Sequence, residues 1–160
     1  NSVSKTYAMT GWRIGYLAGP AAIVDAVAAL KVMVNIQAPT VSQWAALAAF
    51  TGPQACVAAM RETYDARRHL LMDALDEMGF SYGEPRGGLY IWANTTSIGI
   101  PALELSSRFL DEGVLIFPGT GFGENWGDYL RMTLLQPIDV LAEAIVRMKR
   151  ALAAVRDTRP

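Results

Sequence analysis

Residues 2–16 read SVSKTYAMTGWRIGY, placing two serines just before Lys5 and an arginine, Arg13, between the glycines at 11 and 15. A lysine amine attacks an aldehyde once it is made neutral. Serine hydroxyls and a guanidinium suit a phosphate, the arginine through paired hydrogen bonds. Gly11 and Gly15 let the backbone turn or approach a ligand closely. By residue type alone, these are a surface lysine, a capping serine and an arginine in a solvated turn. Order and spacing are what argue for more.

Outward from this stretch, residues 14–18 form a short apolar run that ends at Gly19-Pro20 and reads as a buried strand. Ile23, Val27, Leu30 and Val34 then recur at helical spacing. Pro39 breaks the pattern, and Thr40 with Gln43 has the form of a capping box opening a second helix through Phe50. Gly52 ends that helix and Pro53 suits the first turn of a third. The third helix is long. Val57, Met60, Tyr64, Leu71, Leu75 and Met78 make one stripe, and Gly79 stops it.

Beyond Gly79 the rhythm shortens. Residues 80–82 and 89–92 read as strands across a Gly/Pro-rich turn, 101–111 as a helix, and 114–117 and 129–134 as strands. A last helix carries Leu141, Ile145, Met148, Leu152 and Val155 on one face. This order makes a small α/β lobe. The front end, by contrast, has one strand and two apolar helices with no sheet to cover. It reads as the remnant of a larger domain whose missing part precedes Asn1.

Basic and acidic side chains number 14 and 15, and 52% of the 160 residues are hydrophobic. That balance is globular and lacks the basic excess of a nucleic-acid or anionic-membrane binder. No apolar run nears the roughly 20 residues that span a bilayer. Cys56 is the single cysteine, so no internal disulfide forms, and its apolar neighbours suggest a buried small hydrophobe. A reducing, cytoplasmic setting fits.

The 2–16 segment resembles the lysine-attachment signature of the class I/II aminotransferases, fold type I of the pyridoxal 5'-phosphate (PLP) enzymes. It agrees at Ser2, Ser4, Lys5, Met9, Gly11, Arg13 and Gly15. The likeness continues in 85–92 (PRGGLYIW), 113–123 (GVLIFPGTGFG) and 129–133 (YLRMT), in family order. The wording SKTYAMTGWRIGY is most similar to the bacterial aspartate/aromatic type. The implied fold class is α/β. Residues 1–52 would be a remnant of the large PLP-binding domain, 53–79 a connecting helix and 80–160 the C-terminal small domain.

The resemblance also implies roles. Lys5 would hold PLP and then move the substrate proton. Arg13 would neutralise the cofactor phosphate, with Ser2 and Ser4 adding hydroxyl donors. Arg131 would grip the substrate α-carboxylate. The whole protein would be a homodimeric transaminase acting on an amino acid and a 2-oxo acid, with the loop at Thr40 near the neighbouring subunit's site.

The family's ring-stacking aromatic, its pyridine-nitrogen aspartate and its glycine-rich helix start all lie upstream of the lysine. These 160 residues alone are therefore expected to be inactive and to bind PLP poorly, with Lys5 loosely held near the terminus. The rivals are another fold type I enzyme, a lyase or synthase, and the aminotransferase-like effector module of a transcription regulator.

Other signals carry less. Gly119, Gly121 and Gly123 follow a strand, but no helix pattern comes next, so a loop is expected in place of a nucleotide site. His69 stands among charges without a second ligand at metal spacing, so no metal is expected. Tyr7, Trp12, Tyr16, Trp92 and Trp126 are expected to pack, with Trp126 at a rim.

Overall fold

A computed structural model describes residues 1–157, with the side chains of 155–157 outside the description. The chain divides into two compact units, Asn1–Arg61 and Glu62 onward.

The first unit is helical. A single turn, α1 (Val3–Thr6), is capped by Ser2, whose Oγ accepts from the Ser4 amide at 3.3 Å. A 3₁₀ turn (Thr10–Trp12) follows, ending in Arg13 with left-handed backbone. Then come α2 (Ala21–Val34) and α3 (Thr40–Thr51). The strand expected over 14–18 is absent: only an isolated antiparallel bridge forms, between Ser2 and Gly15, and Tyr16 and Leu17 are exposed. An apolar run makes a strand only where a neighbouring strand takes up its amides.

The α2 stripe is present at the expected spacing, yet Ile23, Val27, Leu30 and Val34 are all exposed and the helix buries no residue. Capping of α3 also differs. Pro39 is the cap residue, Thr40 is the first helical residue, and Gln43 Nε2 donates to the Ala38 carbonyl at 2.8 Å. Proline fixes the extended entry on its own, so the threonine hydroxyl is not needed.

Helix α4 (Ala55–Met78) starts in the first unit and ends in the second. Its stripe is half-buried at Val57, Met60 and Tyr64 and fully buried at Leu71, Leu75 and Met78. The amides of Gly79 and Phe80 both return to the Leu75 carbonyl at 3.0 Å, with Gly79 at φ +88. This is the left-handed stop that glycine favours. Cys56 is exposed, correcting the expected burial, because it lies on the solvent side of this helix's first turn.

The second unit is a four-stranded antiparallel sheet with helices. Its strands are β1 (Ser81–Tyr82), β2 (Tyr90–Asn94), β3 (Phe117–Pro118) and β4 (Tyr129–Thr133), in the order β1-β2-β4-β3. Helices α5 (Ala102–Asp111) and α6 (Ile138–Asp157) complete it. The strand expected over 114–117 shrinks to β3, at the sheet edge.

Alternation sorts the sheet faces. Ile91, Ala93, Leu130 and Met132 are buried and join Leu75, Leu105, Phe109, Ile145, Met148 and Leu152 in one core. The α6 stripe is buried at Leu141, Ile145, Met148 and Leu152, while Val155 lies outside the described side chains. The opposite sheet face carries Tyr90, Trp92, Tyr129, Arg131 and Thr133.

Candidate functional site

Residues 1–16 form a closed loop. The Asn1 terminal amine donates to the Tyr16 carbonyl at 2.9 Å, and the Tyr16 amide returns to the Asn1 carbonyl at 2.7 Å. Gly15 makes this approach possible, since a Cβ there would stand 2.7 Å from Asn1 O. Gly11 has open space around it, so the sequence expectation of a needed glycine holds for one of the two.

The loop is also seated on the end of α3. Tyr7 and Tyr16 meet the Phe50 ring edge-on, with centroids 5.8 and 5.6 Å away, and Tyr7 Oη donates to Gln54 Oε1 at 3.0 Å. The expected packing roles of these two tyrosines hold. Trp12 is exposed, at 42%.

Ser2, Ser4, Lys5 and Arg13 thus sit in one backbone-closed loop. Lys5 is exposed on the capped turn α1. Arg13 Nη1 donates to the Thr10 carbonyl at 2.9 Å, leaving the other guanidinium donors for an anion. Ala8 and Arg13 both adopt positive φ, at 54 and 49. Such conformations cost on the order of 1 kcal/mol each and gather at ligand loops. The donor set fits a phosphorylated aldehyde: an amine for the carbonyl, with a guanidinium and two hydroxyls for the phosphate.

Arg131 belongs to the second unit. It stands on β4, opposite Trp92 of β2 and Phe117 of β3. Its guanidinium carbon lies 4.3 Å from the Phe122 ring centroid, 4.4 Å from that of Tyr90 and 5.4 Å from that of Phe117. Its Nε is buried without a hydrogen-bond partner. A buried donor left without an acceptor costs about 1–3 kcal/mol. Arg131 also lines a half-open cavity of about 780 Å³ shared with Tyr90, Phe117, Thr133 and Gln136.

Sequence reading missed these aromatic neighbours. Matching alternation in 90–92 and 129–131 was the available signal, but only the register shows that the two strands are adjacent.

The glycines at 119–123 form a tight 3₁₀ turn (Gly119–Phe122) followed by another (Glu124–Trp126), with no helix behind them for a nucleotide phosphate. A Cβ on Gly119 would fall 2.1 Å from Trp126 O. Trp92 packs against Phe122, Trp126 and Tyr129 at 5.4–5.7 Å between centroids. His69 Nδ1 lies 2.9 Å from the Asp65 carbonyl in its own helix. Among the described residues no cluster of three or more His, Cys, Asp or Glu could hold a metal ion. No described helix is long and apolar enough to cross a membrane.

Residues 1–147 match the model of the family described as Aminotransferase class I and II. The chain is 41% identical over 156 residues to the LL-diaminopimelate aminotransferase of Desulforudis audaxviator (strain MP104C), covering 97% of this chain and 40% of that one. It is 34% identical over 155 residues to the aspartate/prephenate aminotransferase of Thermus thermophilus, covering 95% and 40%. The crystal structure of an aromatic aminotransferase from Pyrococcus horikoshii OT3 superposes with a TM-score of 0.89 at 33% identity, over 98% of this chain and 42% of that chain. The chain therefore spans about 40% of the length of the curated relatives it matches.

Proposed function

The chain belongs to the aminotransferase class I and II family, and from that premise we propose that the whole protein is a PLP-dependent transaminase moving an amino group between an L-amino acid and a 2-oxo acid. The observation that carries this reading is the closed loop holding Ser2, Ser4, Lys5 and Arg13. Within the proposal, residues 1–52 are part of a large cofactor-binding domain, 53–79 a connecting helix and 80–160 the small domain. A cytoplasmic homodimer belongs to the same reading.

The bound cofactor supplies an aldehyde and an electron sink for the substrate Cα–H electrons. Every other task falls to side chains. Lys5 would be the amine that holds the cofactor aldehyde and, once freed by the incoming amino group, would take and return the proton at the substrate Cα. Arg13 would offset the phosphate charge, and Ser2 and Ser4 would add hydroxyl donors. Arg131 pairs with the α-carboxylate as a planar fork, which fixes which Cα bond stands ready to break. These 160 residues alone are expected to be inactive.

The full-length protein, reconstituted with PLP, should show a visible absorption band that disappears in Lys5→Ala and bleaches on adding an amino acid. A 2-oxo acid should restore it. Release of ammonia or sulfide would instead mark a lyase. A full-length protein that stays colourless and unreactive with PLP would sink the proposal.

A further inference from the structure

We propose that Phe122 and Tyr90, assisted by Phe117, are positioning residues that hold and dehydrate the Arg131 guanidinium so that it meets a substrate carboxylate as a fixed, partly bare fork. The inference rests on the carboxylate role given to Arg131 above and deepens it.

An arginine that must bind an anion in one orientation needs its plane held. Acidic or carbonyl partners usually do this, at the expense of the positive charge. Arg131 Nε has no such partner. Ring centroids stand 4.3 and 4.4 Å from its guanidinium carbon, a cation–π separation. Aromatic faces orient a guanidinium without accepting its protons, so the donors stay free for an incoming carboxylate. They also displace water, which strengthens the pairing that follows.

Phe122, 44% exposed, is braced on one side. Trp92 meets its ring edge-on at 5.4 Å, and the turn carrying it is too tight at Gly119 to accept a side chain. Its ring thus stands between Trp92 and the guanidinium, and the arginine is met from outside its own strand. Tyr90 comes from the neighbouring strand β2, two residues before Trp92, on the same sheet face.

The test is calorimetric titration of the full-length, PLP-loaded protein with maleate and with hydrocinnamate, carboxylates that cannot transaminate. Phe122→Leu and Tyr90→Leu should each raise the dissociation constant roughly three- to thirty-fold, the range a partly desolvated cation–π contact implies. Phe122→Tyr, which keeps a ring face, should bind almost as the unaltered protein does. A role confined to structure would lower the melting temperature without this rescue.

If Arg131→Ala abolishes binding while both leucine variants bind at full strength, the clamp is wrong and the carboxylate site stands. If Phe122→Leu weakens binding only with a collapse of the melting temperature, and Tyr90→Leu binds normally, the clamp is likewise overturned. If Arg131→Ala binds as before, or neither acid binds the unaltered protein, the site assignment falls and takes the clamp with it.

Discussion

Two glycines carry more of the site than their size suggests. A methyl group at Gly15 would stand 2.7 Å from Asn1 O and 3.2 Å from Ser2 Cβ, both on the segment it bridges to. Gly15→Ala is therefore expected to spring the loop that holds Lys5 and Arg13, at a cost of about 1–3 kcal/mol. Titration of the full-length variant with PLP should show weaker cofactor binding, and tight binding would count against the loop's role. Gly119→Ala meets two backbone oxygens, at 2.1 and 2.9 Å, with no flexible side chain to give way. It should lower the melting temperature through at least that range and weaken carboxylate binding by moving Phe122. The motif singles out Lys5, Arg13 and Arg131 as the candidate site residues. It does not show the glycine contacts, because a close approach depends on which distant segment arrives.

Among the elements, α4 and β1 are tied by Tyr82, whose Oη donates to Asp76 Oδ1 at 2.7 Å and to the Met72 carbonyl at 3.2 Å. Burial first, and then the hydrogen bond and negative charge of Asp76, push its pKa up to about 12. A raised pKa means that the folded state favours the protonated phenol. The resulting stability is fully present below the unfolded value near 10 and is lost as pH climbs from there to about 12. Tyr82→Phe should cost about 1 kcal/mol near neutrality and flatten the alkaline decline, read by denaturant unfolding of the full-length protein across that window. An unchanged alkaline slope would refute the assignment. On α5, buried Ser106 donates to the Ile116 carbonyl at 2.6 Å. Ser106→Ala should destabilise by about 1–3 kcal/mol, since the carbonyl beside edge strand β3 is left with less satisfaction. Helices were legible wherever a stripe met a glycine or proline stop, as in α4 at Gly79. Strands were less so: 14–18 and 114–117 have strand composition, but pairing depends on a partner that local sequence does not reveal.

At the scale of the molecule, apolar side chains are distributed unevenly. Met33, Val34, Ile36 and Trp44 of the first unit are all more than 60% exposed, an apolar surface of the kind that marks an interface. The 160-residue chain in isolation should therefore bind a hydrophobic dye and self-associate in sedimentation velocity. Leu30→Glu with Met33→Lys should reduce both, and a monodisperse, dye-free unaltered chain would contradict this. The α/β class and the lack of a covering sheet at the front were readable from element order and apolar composition. The place where the chain divides into compact units, inside an unbroken helix, had no mark in the sequence. Among the described side chains, the first unit buries only Val3, Ser42 and Ala46, whereas the second keeps a continuous core. Durability is therefore unequal: a protease offered the isolated chain should erase the lysine-bearing portion early and spare the arginine-bearing one.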